Sequence, residues 1–441
     1  MAKAKDSRDV PRLEVYLAKS VLVDTDGSRE EFAEGQPTIA AKRRLKKIRR
    51  ALERGYLDDL VQSCKKPDAL PDPPDSKHFA LLTRLVNSVT SEVGRAIVGL
   101  SVLQLAIKSI QSDQSIRLHK GGGTGENFSW ADGIPMRVLD KNFCTPILRK
   151  HDLIRLNADG VFMTRSLAEN YPYSKVYKAA LRGARDEWLE LVDLVEGGQL
   201  NPLVALKHLI AMLFNRSASF QKAADSAMTT VRVAAGRIQS IDDAIKFVQG
   251  FVDASTYSAR VFEIAMHSLF QVIEDTKTRE GFLKPLSQMR SANKKHGNIG
   301  DIEITERPES LLILESWDAK YGKSYLREEL DELSEKLKDH PETKLAGFVV
   351  DGLPNLKREI IDRKVDIEAL HSVKIKILSF EEWVKDQAKG VGLSEKKLAQ
   401  KWILAFAECL CQLRRERAPI DEPCDAWVAS LESYAKKWKP S

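Results

Sequence analysis

Apolar and polar positions change their period along this chain. From residue 79 to about 110 the apolar residues recur at helical spacing: Leu81, Leu82, Leu85, Val86, Val89, Val93, Ile97, Leu100, Leu103. Residues 174–250 keep that period, with Gly197-Gly198 and Asn201-Pro202 separating two helices. Beyond residue 255 the pattern becomes mixed. Residues 257–274 form an amphipathic helix, and 282–289 read as an edge strand in which Pro285 is tolerated. Residues 301–304 alternate, with Asp301 and Glu303 on one face and Ile302 and Ile304 on the other. After a break at Pro308, 311–314 open a second strand that runs into 315–320. A charged helix (324–340), a buried strand (345–350), a helix (357–370) and a strand (373–378) follow, and helices near 395–416 and 423–437 finish the chain. Helix, three strands, helix, strand predicts a mixed α/β core.

The first half reads differently. Residues 1–80 are charged and end in proline punctuation (Pro67, Pro71, Pro73, Pro74), which predicts a basic N-terminal arm or helical subdomain. Gly121–Gly125 reads as a flexible connector, because the Lys-Ser/Thr of a phosphate-binding P-loop does not follow it. Residues 134–151 read as helical around Pro146. Residues 152–165 read as a hairpin turning at Asn157-Ala-Asp-Gly160. Helices followed by a basic hairpin are the outline of a winged helix over 134–166, with Arg137 and Lys141 on the helices and Arg155 on the wing. The alternative is a unit that only packs. The division expected is 1–80, a helical DNA-recognition or dimerisation region over 81–250, and a catalytic domain over 251–441.

A length of 441 residues predicts two to three domains, and 43% hydrophobic with 30% charged residues is an ordinary globular composition. No apolar run approaches the roughly 20 residues of a membrane span, and Met1-Ala-Lys-Ala-Lys-Asp lacks a secretory signal's apolar stretch, so a cytoplasmic protein with no membrane partner is expected. Five cysteines, odd in number and without paired metal-ligand spacing, read as free thiols. The net charge of +6 is concentrated: residues 42–50 carry seven cations, on a helix that is either a solvated face or a phosphate-contacting one.

The chemistry gathers at 301–320. Asp318 and Lys320 are two apart and share a strand face, and a hairpin-like pairing sets Asp301 beside Asp318. Two carboxylates with a nearby ammonium suit a hard divalent cation and a phosphate, which is nuclease chemistry. Other acid-x-Lys strings separate on physical grounds: Asp362–Lys364 falls in a helix, where a two-residue step turns about 200°, Glu342–Lys344 in a loop, and Glu395–Lys397 at a helix start.

Asp301 followed by Asp318-Ala-Lys320, on the second and third strands of an αβββαβ core, resembles the motif of the PD-(D/E)xK nucleases, the superfamily of type II restriction endonucleases. The resemblance covers roughly residues 257–380, and Gly300 stands where the motif's proline would be. It implies that Asp301 and Asp318 hold Mg²⁺, that Lys320 orients the nucleophile and stabilises developing charge, and that Glu263, from the preceding helix, is either a further metal ligand or a hydrogen-bond acceptor in the helix–sheet seam. Glu303 is a reserve ligand, and His267 reads as a packed helix residue. The loop 291–297, with Asn293, Lys294 and Lys295, either touches DNA at the rim of the site or is a solvated turn.

The resulting expectation is a Mg²⁺-dependent, sequence-specific endonuclease of double-stranded DNA. It would act as a homodimer or dimer of dimers, with a separately encoded DNA methyltransferase protecting the host. The alternatives are a repair, recombination or modified-DNA-specific nuclease, or a catalytically inert DNA-binding regulator.

Overall fold

The computed structural model describes residues 10–440 apart from 67, 69, 123–127, 157–158, 182, 288–296 and 420–423. The chain forms a mixed α/β fold with two sheets, divided into two units, Met1–Ser219 and Phe220–Ser441.

Unit 1 begins with an antiparallel three-stranded meander, β1 (Arg12–Val15), β2 (Lys19–Val23) and β3 (Arg29–Ala33), where an arm or helical subdomain was expected. The helices α1 (Ile39–Glu53), α2 (Tyr56–Ser63), α3 (Ser76–Asn87), α4 (Glu92–Ile110), α5 (Met136–Leu139), α6 (Thr145–Lys150) and α7 (Arg185–Glu196) follow. The prolines near 70 therefore mark a connection inside a unit. The apolar window Val93–Ile110 of α4 is, against expectation, long and apolar enough for a membrane span by composition, and it is mostly buried in the unit's core. Apolar residues all round a helix are what a central core position requires. Thr38 caps α1, accepting a hydrogen bond from the Ala41 N–H at 3.0 Å.

No strand forms over 152–165 among the described residues, so the winged-helix hairpin is not there. Two single 3₁₀ turns, Val161–Met163 and Arg165–Leu167, stand in its place. The cause is burial on all sides: Leu153, Ile154, Leu156, Val161, Phe162 and Leu167 all enter the core instead of alternating between core and water. A buried carboxylate pins the segment. Asp140, in a π-helical turn (Asp140–Cys144) between α5 and α6, accepts hydrogen bonds from the Val161 N–H and the Thr145 hydroxyl, both at 2.8 Å. Gly160 bends past it at φ +86°, where a Cβ would lie 2.1 Å from the Asp140 carboxylate.

The helix α8 (Pro202–Arg237) crosses the division at 219/220. Unit 2 continues with α9 (Ile241–Ala254), α10 (Ser258–Asp275), β4 (Phe282–Leu283), β5 (Ile302–Thr305), β6 (Ile313–Lys320), α11 (Arg327–Leu337), β7 (Leu345–Val350), α12 (Arg358–His371), β8 (Lys374–Ser379), α13 (Phe380–Gln387), α14 (Glu395–Leu410) and α15 (Cys424–Lys437). The strands lie in the order β4-β5-β6-β7-β8; β4, β5 and β6 pair antiparallel, while β7 and β8 run parallel to β6. Each face of the sheet has its own core. Ile302, Ile304, Trp317 and Val349 pack with α10, α13 and α14; Ile313, Ala346, Phe348, Val350, Ile375 and Ile377 pack with α11 and α12.

One irregularity sets which β6 residues face which core. Ile304 pairs with Glu315 and Thr305 with Ile313, so Leu314 is an extra residue in β6. The bulge reverses the alternation. Ile313 faces α11 and α12, whereas Trp317, four residues on, faces α10, and its ring lies where a Cβ of Gly347 would be, 2.3 Å away. Ser316, Asp318 and Lys320 consequently lie on the α11 side.

Candidate active site

The register Ile302↔Trp317 and Glu303↔Ser316, continued by one residue beyond β5, brings Asp301 opposite Asp318. Asp301 accepts a hydrogen bond from the Ala319 N–H at 2.9 Å. Lys320 Nζ lies 2.9 Å from Asp318 Oδ2, with both side chains largely buried. Gly300 allows this approach: a Cβ there would meet Ser316 Oγ at 2.6 Å and the Trp317 carbonyl oxygen at 2.8 Å. That contact explains why the position before Asp301 carries no side chain.

The electrostatics are those of crowded acids. Burial, the Asp301 charge and a hydrogen bond to Asp301 hold the Asp318 carboxyl well above the usual carboxylate range, with Lys320 pulling the other way. Burial alone would lower Lys320, but Asp318, Asp301 and Glu329 outweigh it and raise its pKa, so it is a fixed cation. Glu263, on α10, is pushed up to about 7 by burial and by the Asp301 charge, against the opposing pull of Arg260 and Lys320. Glu263 and Asp318 thus each feel Asp301 and Lys320.

Glu263 is held by Arg260 at 2.5 Å, one helical turn earlier. Arg260 also donates to the carbonyls of Ser287 and Pro419, at 2.7 and 2.9 Å. Sequence reading passed over Arg260, although an i,i+3 pair with Glu263 was there to be seen. It also passed over a small cavity beside Asp318, lined in part by Gly300, Ser316, Glu329, Glu332 and Lys336. Ser316 Oγ and Glu329 Oε2 are buried there without a hydrogen-bond partner among the described residues.

Glu303 is no reserve ligand: it is buried, paired with Lys284 at 2.8 Å, and accepts from the Ile299 N–H at 2.6 Å. His267 is a packed residue, as read. Its Nε2–H donates to the Lys284 carbonyl at 3.0 Å, its Nδ1 accepts from Gln271 at 2.9 Å, and burial lowers its pKa to about 3. Asn293, Lys294 and Lys295 lie outside the described residues. In unit 1, Lys141, on the helical turn Asp140–Cys144, lies 3.5 Å from Asp159, and Arg155, expected on the wing, lies 3.3 Å from Asp152. Arg137 is exposed and makes no ion pair among the described residues. On α1, Lys42, Arg43, Lys46, Lys47, Arg49 and Arg50 are exposed and likewise pair with no acid among the described residues; Arg44 binds Asp132 at 2.9 Å. Cys64, Cys144, Cys409 and Cys411 are buried free thiols.

No protein-family model matches this chain, and no curated protein matches it either. The chemistry of the site therefore stands on its own residues.

Among the described residues no group of three or more His, Cys, Asp or Glu side chains is arranged to enclose a metal ion. Mg²⁺ does not require one, since it keeps several waters and is commonly held by one or two carboxylates together with substrate phosphates. Asp301 and Asp318 are an all-oxygen pair of that size, and their mutual repulsion is what a divalent cation would relieve.

Proposed function

We propose that unit 2 is a Mg²⁺-dependent endonuclease of double-stranded DNA, with a restriction-endonuclease-like αβββαβ core formed by α10, β4, β5, β6, α11 and β7. The observation that carries this reading is the convergence of Asp301, Asp318 and Lys320 at the ends of two antiparallel strands. Mg²⁺ held there would screen the phosphodiester's charge and lower the pKa of water. The chain's own part is positional. Asp301 and Asp318 would hold the ion, and the Ala319 N–H fixes the orientation of Asp301. Lys320 sets a permanent positive charge against the scissile phosphate, where charge accumulates during attack. Glu263, titrating near neutrality, would take or release a proton, or join the ligands, depending on pH.

Lys42, Arg43, Lys46, Lys47, Arg49 and Arg50 of α1, which pair with no acid among the described residues, supply a surface of the right sign for phosphates. Cutting both strands would take two copies of the chain, hence a homodimer or dimer of dimers. Site-specific cleavage of the type II kind would also require a separate methyltransferase.

The test is incubation of supercoiled plasmid with the full chain and Mg²⁺. Discrete fragments are expected. Smearing would indicate a nuclease without sequence preference, and intact DNA bound in gel shift would leave an inert DNA-binding regulator.

A further inference from the structure

Unit 1 contains a cavity of about 250 Å³ whose apolar wall includes Phe128, Pro135, Phe162 and Ala168 and whose charged lining is Lys120 and Arg137. The scaffold behind it is tightly tied. The Trp130 N–H donates to the Lys120 carbonyl at 2.9 Å and the Met136 N–H to that of His119 at 3.3 Å. Gly121 and Gly133 touch so closely that a Cβ on Gly121 would lie 2.0 Å from the Gly133 carbonyl oxygen.

The wall is aromatic in depth. His119 stacks on Tyr173 (centroids 4.6 Å apart, 20° between planes) and on Phe162 (6.2 Å, 16°). Both of its ring nitrogens are buried and lack a hydrogen-bond partner among the described residues. Burial and the Lys120 charge bring its pKa to about 3, against a weaker opposing pull from the backbone at Ala168 and Glu169, so the ring is an uncharged plane.

Lys120 Nζ lies over the Phe128 ring, 5.9 Å from its centroid, and donates to Asn170. Its pKa is lowered, by burial first, against an upward pull from Glu169 that exceeds the further lowering by Arg137. Glu169 makes no ion pair with either cation. Two positive groups are thus held near each other beside an uncharged aromatic wall, an arrangement that an anion would relieve.

We propose that this cavity binds a nucleotide unit, its base against the Phe128–Phe162 wall and its phosphate on Lys120 and Arg137. The volume argues for one small ring system, since drug-sized ligands occupy pockets of roughly 300 Å³ or more. Arginine's planar fork matches phosphate oxygens two at a time, and an aromatic wall accepts any base, because every base has a π-face. The unit has two sources, a free nucleotide or a nucleotide of a DNA strand. The proposal is independent of cleavage by unit 2.

The experiment is calorimetric titration of the full chain, without Mg²⁺, with the four deoxynucleoside 5′-monophosphates, inorganic phosphate and a single-stranded tetranucleotide. Trp130, whose ring centroid is 4.9 Å from that of Phe128, offers fluorescence as a second readout. At least one mononucleotide or the tetranucleotide is expected to bind at least about ten-fold tighter than phosphate. Arg137→Ala and Phe128→Ala should each weaken binding about 5- to 100-fold with an unchanged melting temperature. A tighter tetranucleotide identifies a strand as the source, and a mononucleotide that the tetranucleotide cannot displace identifies a free nucleotide; either sustains the proposal. Phosphate binding as tightly as every nucleotide probe, variants without effect, or no binding of any probe at millimolar concentration would overturn it. Because cleavage is never read, an inert unit 2 leaves the result interpretable.

Discussion

Asp140 in unit 1 and Asp318 in unit 2 are both carboxyls that burial raises above their ordinary pKa, Asp140 to about 6. Their surroundings differ. Asp140 receives one hydrogen bond on each oxygen, from Thr145 and Val161, and no cation lies against it. Asp318 faces a second carboxylate, a lysine, and a cavity where Ser316 Oγ and Glu329 Oε2 have no hydrogen-bond partner among the described residues. A buried acid bonded only to neutral donors of the fold holds that fold together, whereas one set against a second carboxylate carries a charge conflict that a bound cation would relieve. The comparison separates two kinds of buried acid by their partners alone.

The largest effect that would break it is at Asp318. Asp318→Asn is expected to reduce plasmid cleavage on the order of 10³-fold, and at the same time to raise the melting temperature of the metal-free protein at pH 8 by about 2–4 °C for each kcal/mol of repulsion removed. A variant that melts lower would mean that Asp318 is a structural acid like Asp140. The opposite outcome holds for Asp140→Ala. It strands the Val161 N–H and the Thr145 hydroxyl and should destabilise unit 1 by about 1–3 kcal/mol in urea titration, with cleavage per folded molecule preserved. Gly160→Ala, strained at φ +86° and pressed on the same carboxylate, should destabilise the protein by a similar amount, about 1–3 kcal/mol.

Titration sharpens the contrast. The raised folded-state pKa of Glu263, about 7 against an ordinary 4.5, means that the metal-free fold holds a proton that the unfolded chain would have released. Its stabilising contribution is complete below pH 4.5 and lost as the pH rises through 7. Mg²⁺ affinity should run the other way, tightening from pH 6 to pH 8, and Glu263→Gln should flatten that rise in isothermal titration. The smallest effect concerns α1. Replacing Lys42, Lys46 and Arg49 by Gln should lower the slope of log K against log salt for duplex binding by about 0.9 per lost contact, leaving any Mg²⁺ binding in the absence of DNA unchanged.

The two regions also differed in how much could be read from residues alone. Strands 302–305 and 313–320 were legible because a period of two, bounded by turn residues, leaves one sensible pairing, and that pairing brings Asp301 opposite Asp318. Helix α1 was legible from Leu45 and Ile48 between its cations. The stretch 152–165 was not, because its apolar residues are buried on every side and a short apolar run has no period of its own. Its course depends on Asp140, twenty residues upstream in sequence from Gly160, and nothing local announces that partnership. The three strands before residue 34 were hidden by their charge, since Glu14, Arg29, Glu30 and Glu31 interrupt any apolar alternation. Glu329 escaped because only the folded chain brings it to the cavity beside Asp318, whereas the i,i+3 spacing of Arg260 and Glu263 was visible in the sequence.

The extra residue at Leu314 has a consequence for how β6 is shared between two cores. Side-chain direction in β6 is a matter of odd and even: in a regular strand Ile313 and Trp317, four apart, would share a face, and the extra residue is what lets each enter a different core. That one residue serves both faces of the sheet at once, and the count of residues from it to Asp318 fixes the side on which the aspartate lies.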